Sequence, residues 1–167
     1  GSLAHDIKNV PHGKVEYLHY YSKSLKGVNN AVVYLPPKYE TDKNKKYPVF
    51  YLLSGTTDTE EVYYKVGRVN YILDNLIAEG KAKPMIVVMP NGNVDQEAAP
   101  GESSLGLVKP NMQLPRTMEG TMEATFPDII KFVESNYRVE KKKSSRAIAG
   151  LSMGGYHSLH ISKEYPD

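Results

Sequence analysis

The chain has 167 residues, 40% of them hydrophobic, which is enough to bury the core of one domain. Lys+Arg total 21 against Asp+Glu 19, a formal charge of +2 that is too small and too scattered to point to a nucleic acid or a membrane surface as partner. Cysteine is absent, which excludes disulfides, cysteine-based zinc sites and a cysteine nucleophile, and no stretch approaches the ~18 apolar residues of a membrane span.

Lys14 to Tyr21 alternates, with Val15, Tyr17, His19 and Tyr21 on one face, and Asn30 to Leu35 is a second β-rich run closed by Pro36 and Pro37. Asp42 to Lys46 is a polar turn. Pro48 to Leu53 (PVFYLL) follows as a continuous apolar strand of the kind buried on both faces of a parallel sheet, and Ser54-Gly55-Thr56-Thr57-Asp58 breaks it. From Gly67 to Glu79, Val69, Ile72, Leu73, Leu76 and Ile77 keep helical spacing, with Gly80 where a C-terminal cap belongs. Pro84 to Met89 (PMIVVM) predicts the next buried strand.

Val94 to Met118 is long, rich in Pro, Gly and Ser, and has no clear period, the pattern of a functional loop. Phe126, Ile129, Ile130, Val133 and Tyr137 predict a second helix, with Pro127 suited to its first turn. Lys141 to Lys143, the one basic run, reads as a solvated connection. Arg146 to Ala149 (RAIA) is a short strand, Gly150 to Gly155 a glycine-rich turn, and Tyr156 to Tyr165 a helix halted near Pro166. Two early strands followed by strand, helix, strand, helix, strand, helix predict a mostly parallel α/β sheet.

Gly150-Leu151-Ser152-Met153-Gly154 matches the G-x-S-x-G nucleophile elbow, a sharp strand-to-helix turn that lifts the serine Oγ above the sheet. Gly150 and Gly154 matter sterically, because side chains two residues before and after the serine would collide with the flanking strand and helix. Met153 begins the helix, so its N–H points at a developing oxyanion together with the positive end of the helix dipole. Chance alone places the bare motif in a chain of this length at roughly 5%; its setting, directly after an apolar strand and directly before a helix, is the stronger evidence. A second oxyanion donor belongs to the loop after an earlier central strand, where Gly55 permits close approach and the N–H of Thr56 is the candidate.

In these residues the chain resembles the esterase D/feruloyl esterase group, carbohydrate esterase family 1 in the broad sense, within the α/β-hydrolase superfamily. The segments HGKVEYLHYYSKSLKGVNNAVVYLPPKYE, KKYPVFYLLSGTTDTEE, GRVNYILDNLIAEGKAKPMIVVMPNGN, FPDIIKFVESNYRV and SSRAIAGLSMGG are similar to successive blocks of that group, in order. The resemblance implies an α/β-hydrolase fold with a mostly parallel sheet, incomplete in this chain because the later strands are missing. Residues 1–167 would then be the N-terminal part of a single catalytic domain. It also implies hydrolysis of carboxylic esters, no metal and no organic cofactor, acylated polysaccharide or oligosaccharide as substrate, and a secreted or periplasmic location. Ser54 stands where the group usually has His, and Tyr63 where it usually has Trp.

In this fold the triad runs Ser, then Asp or Glu, then His, and only Met153 to Asp167 follow Ser152. His157 and His160 lie on the helix after the elbow and point along its sides, and His5, His12 and His19 precede the first buried strands. The acid and base are therefore expected from a missing C-terminal segment or a second chain, with RAIA left as a sheet edge and these residues alone inactive. Within the long loop, Gln113 and Arg116 are the candidate substrate-binding groups, and Asp58, Glu60 and Glu61 read as solvated loop charges. The reading is a serine carboxylesterase acting on feruloyl esters of plant cell-wall polysaccharide. Its rivals are an acetyl-xylan or other short-chain carboxylesterase, and a non-catalytic carbohydrate-binding or assembly module that retains the half-fold.

Overall fold

The computed structural model describes residues 3, 5–23, 27–53, 68–90, 121–150, 158 and 161–163. Among these, β1 (Lys14–Ser22), β2 (Gly27–Leu35), β3 (Val49–Leu53), β4 (Ile86–Pro90) and β5 (Arg146–Gly150) form one sheet in the order β1-β2-β4-β3-β5. β2 pairs antiparallel with both β1 and β4, while β3 pairs parallel with both β4 and β5. The described sheet is mixed: the parallel pairing expected from the order of elements holds for β4, β3 and β5, β2 enters antiparallel, and RAIA, extended by Gly150, stands at the edge among the described strands.

Helix α1 (Val69–Ala78) connects β3 to β4, and helix α2 (Thr121–Asn136) precedes β5. They cover opposite faces of the sheet. Phe126, Ile129 and Val133 of α2 pack with Ala31, Val33, Val49, Tyr51, Leu53, Ile86 and Val88. The alternate residues Val32, Tyr34, Val87 and Met89 pack with Leu73 of α1, joined by the half-buried Phe50 and Leu52. Side chains of β3, β4 and the Ala31–Leu35 part of β2 thus meet apolar neighbours on both sides, which is why these stretches read as apolar runs.

Gly80 closes α1 as its position in the sequence suggests. Its φ of 72° puts it in the left-handed region, and Gly80 N–H donates to Ile77 O (3.1 Å) while Lys81 N–H donates to Leu76 O (2.9 Å). That is the double bond pattern of a Schellman cap.

Three details depart from the periodicity. In β1, the buried side chains are Tyr20 and Ser22, and the row Val15, Tyr17, His19, Tyr21 faces the less covered side. Helix α2 begins at Thr121, so Pro127 lies in its interior and not in its first turn. A proline there forfeits one backbone bond, and burial of Phe126 and Ile129 on either side of it offsets that loss. In α1, Leu73, Asp74 and Asn75 are the buried residues, so two polar side chains occupy the inner face beside the expected apolar ones.

Asp74 explains its own burial through its partners. It is 2% exposed and accepts from Tyr34 OH (2.7 Å) and Gly13 N–H (2.8 Å) on Oδ1, with His12 Nδ1 2.9 Å from Oδ2. Burial, and then the Asp74 carboxylate, push the Tyr34 phenol well above its ordinary pKa, so it remains a donor. Gly13 is required where the chain passes this cluster, because an added Cβ would lie 2.3 Å from Leu35 O and 2.6 Å from the Tyr34 ring. Gly13→Ala is therefore expected to destabilise the protein by about 3 kcal/mol, the upper range for overpacking against backbone. Urea unfolding checks it; a variant within about 0.5 kcal/mol of the parent would show that this segment yields freely.

Candidate active site

The site can be located from the way the chain leaves two neighbouring strands. β3 and β5 run parallel and in register from Val49↔Arg146 to Leu53↔Gly150, so both end at the same level. After β3 the chain reaches α1, which packs on the face carrying Val32, Tyr34, Val87 and Met89. After β5 it reaches helical residues including Ser158 and Ile161, and Ile161, 3% exposed, packs in the opposite core with Tyr51, Phe126 and Val133. Two adjacent strands followed by helical residues in opposite cores mark a topological switch point, and α/β sheets bind ligands in the crevice outside the carboxyl ends of such strands.

Of the sequence-predicted residues, Gly150 reaches this crevice as the last residue of β5, level with Leu53. Ser152, Met153 and Gly154 follow it within four positions, and Thr56 follows Leu53 by three; these four lie outside the described residues, as do Ser54, Asp58, Glu60, Glu61, Tyr63, Gln113, Arg116, His157 and His160. His12 and His19 are described, and neither stands at the crevice. His12 is held by Asp74 ahead of β1, and His19 Nδ1 lies 2.6 Å from Asn30 Oδ1 on β2. His5 is exposed.

Beneath the crevice the sheet is braced by α2. Phe126 meets the Tyr51 ring edge-on at 5.0 Å between centroids, and Glu134 pairs with Arg146 at the start of β5, both partly shielded from solvent. Burial, followed by the Glu134 charge, raises the Tyr51 pKa well above its usual value, with Arg146 opposing, so Tyr51 stays a neutral phenol. Ser22 Oγ donates to Asp128 Oδ2 (2.8 Å) and Tyr137 OH to Glu16 Oε2 (3.0 Å), tying β1 to α2 and to the segment just after it. The sequence offered only a weak signal for these ties: single polar residues inside apolar runs.

The described cavities lie elsewhere. One of about 250 Å³ is lined by Pro37, Tyr47, Asp74 and Pro84, and one of about 340 Å³ by Pro48, Phe50, Met85, Arg146 and Ala147; both sit toward the amino ends of the parallel strands. Among the described residues no three His, Asp or Glu side chains converge as a metal site, and no helix is long and apolar enough to cross a membrane. The run Lys141–Lys143 is exposed.

Residues 22–167 match the family described as "Putative esterase". The chain is 32% identical over 163 residues to an endo-1,4-beta-xylanase/feruloyl esterase of Xylanibacter ruminicola, covering 96% of this chain and 21% of that protein. Among solved structures, a ferulic acid esterase is 31% identical with a TM-score of 0.72, covering 93% of this chain and 57% of that one. A CE1 ferulic acid esterase from Anaeromyces mucronatus, in complex with ferulic acid, is 29% identical with a TM-score of 0.77, covering 96% and 56%. The chain thus spans about a fifth of the first relative and little more than half of the solved ones.

Proposed function

Since the chain belongs to this esterase family and has an α/β-hydrolase fold, we propose that it is the nucleophile-bearing half of a serine carboxylesterase acting on feruloyl esters of plant cell-wall polysaccharide. One observation carries the reading: G-L-S-M-G begins at the carboxyl end of β5, beside the end of β3, where the chain diverges to opposite faces of the sheet.

In this account Ser152 Oγ attacks the ester carbonyl. The carbonyl oxygen takes up the negative charge, and the N–H groups of Met153 and Thr56 stabilise it. β3 and β5 are neighbours about 4.8 Å apart, which supports the two donors serving one oxyanion. A histidine takes the serine proton as the Oγ–C bond forms and gives it to the sugar oxygen as the ester C–O bond breaks, leaving an acyl-enzyme that water then hydrolyses. We assign that histidine and its acid partner to polypeptide beyond these 167 residues, either a later segment or a second chain. The place of β5 at the edge of the sheet among the described strands, and the 31% identical structure of which this chain spans 57%, support that assignment. Gln113 and Arg116 are proposed to line the substrate pocket, Gly150 and Gly154 to permit the elbow, and the protein to act in a secreted or periplasmic setting without a metal or organic cofactor.

Feruloyl specificity is tested by comparing kcat/KM for methyl ferulate with that for an acetylated sugar. The expected result is at least about a tenfold preference for ferulate, the scale on which a shaped apolar pocket discriminates acyl groups. A comparable preference for acetyl would reassign the protein to the short-chain esterases.

A further inference from the structure

β1 is the outer strand of the described sheet, and its residues alternate between two surroundings. Tyr20 and Ser22 are buried toward α2, while Tyr17, His19 and Tyr21 are exposed on the other side, Tyr17 by 37% and Tyr21 by 62%. Of the four large hydrophobic side chains that stand exposed among the described residues, two are in this row. An outer strand commonly carries charged side chains, especially lysine, that discourage association. From Val15 to Tyr21 this row has no Lys, Arg, Asp or Glu.

Alternate residues of a strand stand about 7 Å apart along a line, so the three rings form a narrow row. His19 is fixed by Asn30 of the neighbouring strand, 2.6 Å from Nδ1, and its Nε2 is left as the ring atom for a further hydrogen bond. The tyrosines provide flat faces of partial negative charge and a phenolic oxygen at the rim, and ordering them costs little conformational entropy. Such a row suits a ligand with weakly positive C–H faces, hydroxyls along its margin and no net charge: a neutral polysaccharide.

The row also reaches the level of the candidate site. Leu18 is level with Ala31, Ala31 with Pro90, and Leu53 with Gly150, while Tyr51 is level with Val88, so Leu53 and Pro90 share that level. Tyr21 therefore rises past the same end of the sheet at which β5 delivers the elbow. Four strand spacings, roughly 19 Å, separate β1 from β5.

We propose that Tyr17, His19 and Tyr21 form an auxiliary binding strip for a neutral polysaccharide chain. The identity of the polymer, though not the strip itself, rests on the esterase reading. The test is affinity electrophoresis of the protein through gels containing soluble arabinoxylan, with hydrolysis of methyl ferulate measured in parallel. Replacing both tyrosines (Tyr17→Ala with Tyr21→Ala) is expected to weaken retention about tenfold, as two lost aromatic contacts require. Methyl ferulate turnover should stay within about twofold of the parent, and Tyr17→Phe with Tyr21→Phe should restore retention, which a folding defect would not allow. Unchanged retention in the double alanine variant overturns the proposal, as does a parent protein that arabinoxylan does not retain. A parent that is retained through the tyrosines but does not hydrolyse methyl ferulate would leave the strip standing and remove the esterase reading.

Discussion

Replacing Ser152 by alanine is expected to lower kcat/KM for methyl ferulate by about 10⁵- to 10⁶-fold, with KM and the unfolding midpoint little changed. The loss follows from bond formation. Without Oγ there is no acyl-enzyme, and what remains is the residual acceleration from oxyanion donors and substrate binding, which survives loss of a nucleophile in other serine hydrolases. A small loss, of tenfold or less, would mean that the reaction does not pass through Ser152. The protein assayed must include whatever polypeptide supplies the histidine, since the proton of Ser152 needs an acceptor within hydrogen-bond reach, roughly 2.6–3.2 Å.

Asp74→Ala is expected to destabilise the fold severely, by about 3–5 kcal/mol, because it breaks a buried polar cluster from one side. Asp74 is 2% exposed and meets Tyr34 OH, Gly13 N–H and His12 Nδ1. Deleting the carboxylate strands the buried Tyr34 hydroxyl and the Gly13 amide together. Asp74→Asn should fall between the parent and Asp74→Ala, because an amide oxygen can still accept from Tyr34 and Gly13, both of which use Oδ1. Equilibrium urea unfolding of the three proteins decides it. Equal stability of Asp74→Ala and the parent would show that the cluster does not hold the segment before β1 to α1.

Strands β3 and β4 were legible because they meet apolar neighbours on both faces, which leaves an apolar run with no alternation: Val49–Leu53 and Ile86–Pro90 fell within a residue or two of the runs that announced them. Gly80 was legible for a related reason, since a left-handed residue after a helix is cheapest as glycine. Asp74 was not. Its burial depends on Tyr34 and Gly13, 40 and 61 residues away, and helical periodicity carries no information on such partners. The early start of α2 was hidden by Pro127, which local preference places in a first turn but which tertiary burial of Phe126 and Ile129 holds inside the helix.

The candidate site divides in the same way. The residue types of the elbow, and the strand before it, are written in Arg146–Gly154. That β3 rather than β4 lies beside β5 is a matter of crossover connections, and it is this neighbour relation, with Leu53 against Gly150, that sets the switch point. The tyrosine row of β1 was visible as an alternation, but which of its two faces the core would take depended on α2.

The most direct test of the central claim is to expose the protein, together with the polypeptide proposed to supply the histidine, to a fluorophosphonate and to map the adduct by peptide mass spectrometry. A single adduct on the peptide containing Ser152, absent from Ser152→Ala, is the result this account predicts. An adduct at another residue, labelling that persists in Ser152→Ala, or no adduct on a preparation that hydrolyses methyl ferulate, would contradict it.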